Sequence, residues 1–267
     1  MSSDLAIVCG EGDLPVRLAR ANPDALCITF AGNDHDMEIS EEHCYEKLGD
    51  VFVQLQAQKI KRVVMAGSMH RPALNPKNFD SLMREIAPQL EANVQQGDDG
   101  LLRFIIKLFE SRGFEVCGAH HLLPDLTVAA GVFSLCQPGS QQAQDIDKGL
   151  ALLRLLSKAD IGQSTVVEQG LCLGIETLQG TDALLDFVAK TPKKLRRPTA
   201  GVLVKAPKAK QDLRVDLPAI GPNTVRCVAR AGLAGIAIAA KKVLLLEPER
   251  THALVAEHGL FFVARDI

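Results

Sequence analysis

The chain has no tryptophan and one tyrosine among its 267 residues, and its net charge is −2. Surfaces that stack nucleic-acid bases need aromatic platforms and an excess of positive charge, so nucleic acid is excluded as a partner. Long apolar runs are missing too. Residues 126–144 carry no charge but include proline, serine and four glutamines, which is no membrane span. Asp4 and Glu11 break up any apolar core at the start, so no signal peptide is expected. Cysteine is present, seven times, but never as C-x-x-C. Cys9, Cys27, Cys117, Cys172 and Cys227 lie in apolar runs, and buried free thiols in a reducing cytosol are the simplest account.

What is present is an apolar fraction of 47% in a chain long enough for two ordinary domains. Residues 5–8 form a short apolar run, as a buried parallel strand does. Gly10-Glu11-Gly12-Asp13-Leu14-Pro15 follows, then a helical pattern to Ala21. Strand, glycine turn and helix open either a phosphate-binding unit, with Gly12 near the ligand, or a plain tight turn; the third glycine of the dinucleotide fingerprint is absent. Residues 26–30, 62–66 and 114–118 read as further strands, and 51–58, 79–90 and 101–111 as helices. Ser68, His70 and Arg71 stand at a strand's carboxyl end, where open α/β sheets bind ligands, and are expected at the nucleotide. Asp34 or Asp36 reads as a ribose contact or part of a solvated loop. Asp98 and Asp99 suit a helix start, and His120 and His121 a loop.

The turn-forming stretch 137–140 is the expected linker, between an N-terminal domain (1–136) and a C-terminal one (141–267). A helix over 141–159 should bury Ile146, Leu150, Leu153 and Leu156 and leave Asp145 and Lys148 in water. Strands at 164–167 and 171–175 flank the turn Gln169-Gly170. Gly180-Thr181-Asp182 then opens a helix, with Thr181 as its N-cap or as part of a phosphate cradle. The basic run 190–197 reads as a solvated connector or a contact for an anionic membrane surface. The most informative stretch, K-A-P-K-A-K-Q-D-L-R-V-D-L-P-A-I-G-P-N-T at 205–224, leaves a buried strand and ends where Asn223 or Thr224 can cap a helix. Clustered cations beside carboxylates suit phosphate chemistry, because cations neutralise phosphoryl oxygens while a carboxylate holds a divalent metal or orients water. A solvated basic loop is the alternative.

The ordered set A-I-V-C-G-E-G-D-L-P (6–15), A-G-S-M-H-R-P (66–72), G-D-D-G-L-L-R (97–103), G-A-H-H-L-L-P (118–124), A-D-I-G-Q-S-T-V-V (159–167), Q-G-T-D-A-L-L (179–185) and R-V-D-L-P-A-I-G-P-N-T-V (214–225) resembles one bacterial family. It is the UDP-2,3-diacylglucosamine diphosphatases of the alternative, alpha-proteobacterial type, which act in lipid A biosynthesis. Gln179 departs from the acidic residue common before G-T-D, and Glu11 from a common glycine. The resemblance implies an N-terminal Rossmann-like parallel sheet, a C-terminal α/β domain with a mixed sheet, and an active site between them. It implies Mg²⁺-dependent hydrolysis to UMP and 2,3-diacylglucosamine 1-phosphate in a cytoplasmic homodimer, with peripheral contact to the inner membrane. Asp216 is the expected main catalytic carboxylate and Asp182 its partner, both as metal ligands. Lys208 and Arg214 are expected to neutralise the diphosphate, and Gln211, Thr224, Gly180 and Thr181 to bind it. A nicotinamide-dependent oxidoreductase and a non-catalytic nucleotide-sugar or lipid carrier are the rival readings.

Overall fold

The computed structural model describes residues 3–70, 72–94, 98–209 and 211–267. Two compact units result, Met1–Leu123 with Arg214–Asp216, and Pro124–Leu213 with Leu217–Ile267. The first unit runs β1 (Leu5–Cys9), α1 (Asp13–Ala21), β2 (Leu26–Phe30), β3 (Glu41–His43), α2 (Leu48–Ala57), β4 (Arg62–Ala66), α3 (Ser81–Val94), α4 (Asp98–Glu110), β5 (Glu115–Cys117) and α5 (Ala119–Leu122). Its sheet has the order β3-β2-β1-β4-β5, and every pair is parallel. The central strand β1 is buried along its whole length, as a strand covered on both faces must be. Ala6, Val8, Ile28, Leu55 and Val63 share a core with Phe52, whose ring packs 4.8 Å from that of Phe109. This is the expected Rossmann-like sheet, with strand order reversing across β1 and β4. Helix α3 runs on to Val94 past Pro88, which sits on its exposed side where a freed carbonyl can be solvated. His120 and His121 lie in the short helix α5 rather than in a loop.

The second unit runs β6 (Gly131–Val132), α6 (Ser140–Leu156), β7 (Ser164–Glu168), β8 (Leu171–Ile175), α7 (Gly180–Ala189), β9 (Val202–Lys205), β10 (Ala219–Ile220), α8 (Pro222–Arg230), β11 (Gly235–Ala239), β12 (Leu244–Leu245), α9 (Pro248–Glu257) and β13 (Phe261–Arg265). The main sheet is ordered β6-β13-β11-β9-β7-β8. Strands β9, β11 and β13 are parallel, whereas β6, β7 and β8 run antiparallel to their neighbours, giving the expected mixed sheet. Ile146, Leu185, Leu203, Ile236 and Phe262 centre its core. Strand β6 and the stretch 137–140, whose last residue opens α6, both belong to this unit.

Three side-chain expectations change. Asp145 is fully buried rather than wet, because the β7–β8 turn aims two main-chain donors at it. Gln169 N donates to its Oδ2 at 2.8 Å and Gly170 N to its Oδ1 at 2.7 Å. Both turn residues have positive φ, 46° and 76°, the twist that a two-residue hairpin demands. Glutamine is not a residue suited to that conformation, and the buried carboxylate supplies what the turn itself lacks. The basic run is not solvated throughout: Arg196 is drawn in by the buried Glu168, its Nε donating at 2.8 Å. Cys172 is exposed, on the outer strand β8.

Candidate functional site

Three strand ends converge in the second unit. Strand β9 finishes at Lys205, β7 begins at Ser164 opposite it, and β8 runs into Glu176, whose N donates to Ser164 O at 2.8 Å. The buried run of β9 carries Lys205 inside, whereas Glu176 follows the outer strand β8, whose residues are exposed or half-buried, and is itself buried at the β7 end. The Lys205 ammonium, 6% exposed, lies 3.5 Å from the Glu176 carboxylate, 11% exposed. It also donates to Thr181 Oγ1 at 2.5 Å, and the Thr181 hydroxyl donates in turn to Glu176 Oε2 at 2.6 Å. Ser164 Oγ stands 3.3 Å from the same hydroxyl. Burial pushes the Glu176 carboxyl up, but the Lys205 charge and hydrogen bonds from Ser164, Thr181 and Lys205 outweigh it and hold the group below its ordinary value.

The cluster is anchored to the start of α7. Thr181 is not the N-cap; that place belongs to Gln179, and Thr181 lies inside the first turn with its hydroxyl turned to Glu176. Asp182, the next residue, is exposed and accepts from Asn223 Nδ2 at 2.6 Å, an amide from the first turn of α8. Gly180 has a φ of +83° and open space where a Cβ would stand. An oriented carboxylate and the donor end of a helix are groups that can receive a phosphate and its metal. Among the described residues no three His, Cys, Asp or Glu gather into a metal cage. A hard cation that keeps its waters does not need one: magnesium takes one or two carboxylates and completes its shell with phosphate oxygens.

The stretch 205–224 is divided between the units. Lys208 and Gln211 belong to the second: Lys208 N donates to Gln211 Oε1 at 3.0 Å, and its Nζ pairs with Asp160 at 2.8 Å. Thr224 is buried, and its hydroxyl accepts from Gly221 N at 3.4 Å, closing the start of α8 where Gly221 is the N-cap. Arg214 and Asp216 count with the first unit. There Arg214 pairs with Glu110 at 2.6 Å, Val215 packs on the core, and Asp216 is half-buried.

In the first unit the loops after β1 and β4 are stitched together. Gly10 N donates to Ala66 O, Glu11 N to Ser68 O and Ser68 N to Glu11 O. A Cβ on Gly67 would come within 2.5 Å of Glu11 O, so only glycine lets the two backbones meet. Gly12, at the start of α1, and Ser68 thus sit on one edge, joined by His70, whose Nε2 lies 3.0 Å from Glu11 Oε1. His70 N donates to Asn33 Oδ1, and Asn33 Nδ2 donates to the Tyr45 hydroxyl at 2.8 Å. His70, Asn33 and Tyr45 line a pocket of about 350 Å³ with Ala31 and Glu46; Gly12 and Ser68 are not part of its lining. It opens at the carboxyl ends of β2, β3 and β4, the usual ligand side of a parallel sheet. Arg71 and the side chains of Asp98 and Asp99 lie outside the described residues.

Sequence reasoning passed over Glu176 and Ser164 as strand residues, counted Lys205 only as the first cation of the 205–224 stretch, and treated Asn223 only as a cap. The available signal was a polar residue ending each of three strands that meet at one end of the sheet.

Two family models match the chain, the LpxI N-terminal domain over residues 4–126 and the LpxI C-terminal domain over residues 129–263. The chain is also similar to the UDP-2,3-diacylglucosamine pyrophosphatase LpxI of Caulobacter vibrioides, with 36% identity over 272 residues, 98% of this chain and 97% of the relative.

Proposed function

The chain belongs to the LpxI family, and from that premise we propose that it hydrolyses the diphosphate of UDP-2,3-diacylglucosamine to UMP and 2,3-diacylglucosamine 1-phosphate, a step of lipid A synthesis. The observation that carries this reading is a likeness running through both units rather than one motif. The polar cluster of the second unit supports it. Asp182 is exposed, oriented by an amide and set beside a helix start, as a carboxylate that receives a phosphate-bound metal should be.

In this reading Mg²⁺ is the cofactor, and Asp182 and Asp216 are the carboxylates that hold it. When bound, it would offset charge on the diphosphate oxygens. Asp216 is the main catalytic carboxylate and orients the attacking water. Lys208 and Arg214 neutralise phosphate charge, Gly180, Thr181, Gln211 and Thr224 bind it, and Gly12, Ser68, His70 and Arg71 serve the nucleotide. The enzyme works as a cytoplasmic homodimer. Lys190, Lys193, Lys194 and Arg197 are exposed near the exposed Phe187 and Leu195, which suits peripheral contact with an anionic membrane. Among the described residues no helix is long and apolar enough to cross one.

The test is incubation with UDP-2,3-diacylglucosamine and Mg²⁺, with and without a chelator, followed by product analysis. UMP and the lipid 1-phosphate are expected with Mg²⁺, and neither with chelator. Tight binding without UMP release would make the chain a carrier and end this reading. Asp216→Ala should abolish turnover while leaving the fold intact; full activity in that variant removes Asp216 from its role.

A further inference from the structure

Lys205 is a buried cation with partners inside the fold. Its ammonium is 6% exposed, and its charge is already answered by Glu176 at 3.5 Å. The Thr181 hydroxyl accepts from Lys205 and gives its only hydrogen to Glu176, so it has a single orientation. That same residue sits in the first turn of α7, directly before Asp182. On Asp182's other side the amide of Asn223 fixes one carboxylate oxygen. Contacts therefore run from a buried ion pair to the hydroxyl of Thr181, and the backbone of the first turn of α7 joins Thr181 to the residue that bears the exposed carboxylate.

A buried ion pair is a poor device for stability alone, because desolvating both ions is costly and apolar side chains of similar size often serve as well or better. What it supplies is direction, since each partner accepts or donates along fixed lines. We propose that Glu176 and Lys205 are positioning residues for the diphosphate reaction: they lock the Thr181 hydroxyl and the first turn of α7, and so aim Asp182, without touching substrate. This rests on the hydrolase function proposed above.

The experiment measures UMP release by the full chain with Mg²⁺ and UDP-2,3-diacylglucosamine, alongside thermal melting, for wild type, Glu176→Gln, Lys205→Met and the double variant. Each single variant leaves a buried charge unanswered and should melt earlier. Each should lose at least about tenfold in kcat with KM within about threefold, because interactions that act only in the transition state lower kcat and kcat/KM together. The double variant buries no unpaired charge, so it should regain melting temperature but not kcat. If the single variants do not fold, the double variant carries the test by itself. Wild-type kcat in the folded double variant overturns the inference, because charge balance would then be the whole role. A raised KM at unchanged kcat also overturns it, by making the pair a substrate contact. A wild type that releases no UMP overturns the function and this inference together; a wild type that turns over beside unimpaired variants overturns this inference alone.

Discussion

Each end of strand β7 meets a buried carboxylate, its own Glu168 at one end and Glu176, which follows β8, at the other, and the two are used differently. At its last residue, Glu168 is fully buried. It takes Arg196 Nε at 2.8 Å on one oxygen and Arg197 N at 2.7 Å on the other. Arg196 then donates to Ala231 O and Gly232 O, just past α8. Glu168 thus holds one guanidinium, which goes on to main-chain carbonyls, and one main-chain N–H, so this end ties a connector to the sheet. At the first residue, Ser164, the neighbouring carboxylate is Glu176, and its partners are side chains: Lys205 and the hydroxyl of Thr181. Those contacts lead to an exposed group, Asp182. Burial of a charge does not by itself mark a functional residue; where its contacts lead does.

The sharpest way to break that comparison is to remove the structural carboxylate. Glu168→Ala leaves a guanidinium and an amide N–H without their acceptor in a dry site, and breaking a buried pair from one side costs about 3–5 kcal/mol. Chemical denaturation should show that loss, while kcat per folded molecule stays near wild type. A large kcat loss with stability retained would reverse the assignment of the two ends. Asp145→Ala should come next. It strips the β7–β8 turn of two charge-assisted hydrogen bonds, and a hydrogen bond to a charged group contributes about 1.5–3 kcal/mol. The same measurement checks it, with Asp145→Asn, which keeps one acceptor, falling between the two.

These residues also show what could be read from the chain before its fold was known. Four of the five strands of the parallel sheet were legible because runs such as LAIVC are apolar and each is followed by a glycine turn or a polar break; β3, Glu41–His43, has no apolar run to mark it. The helix opened by Gly180-Thr181-Asp182 was legible as a helix, but its cap was not, because Gln179 rather than Thr181 stands at the N-cap. Asp145 was not: helical periodicity puts it beside wet positions, and only the turn from a later hairpin turns that face inward. Lys205 and Glu176 were hidden for the same kind of reason. Each is a charged residue at the end of an apolar strand, and a strand's end reads as its exit to water until the neighbouring strands are in place. Arg214 and Asp216 read as one segment with Lys208 and Gln211, yet packing around Val215 counts them with the other unit.

Acid sharpens the comparison further. The folded-state pKa of Glu176 is depressed below the ordinary 4.5, burial opposing and the Lys205 charge and hydrogen bonds prevailing. A depressed carboxylate contributes stability that is present above 4.5 and is lost as pH falls through the lower folded value. Urea midpoints taken from neutral pH downward should therefore fall through that window in wild type. The fall should be shallower in Glu176→Gln, which has nothing to protonate there. Parallel curves for the two proteins would mean that the carboxylate is not held ionised by its neighbours.

The smallest expected effect belongs to the third acid–base pair of this region, and it separates surface from interior. Asp160 and Lys208 meet at 2.8 Å, but Asp160 is 58% exposed and the pair is open to screening. Such pairs contribute about 0–1 kcal/mol. Asp160 has a φ of +59°, which asparagine tolerates, so Asp160→Asn removes the charge without straining the backbone. Its melting temperature should stay close to wild type and its kcat unchanged. If Lys208 serves the diphosphate, losing the competing carboxylate releases that ammonium, and KM should fall, more at low salt than at high because the attraction is screened. An unchanged KM at both salt concentrations would leave Lys208 as a surface residue bound to its neighbour and would take it out of the site.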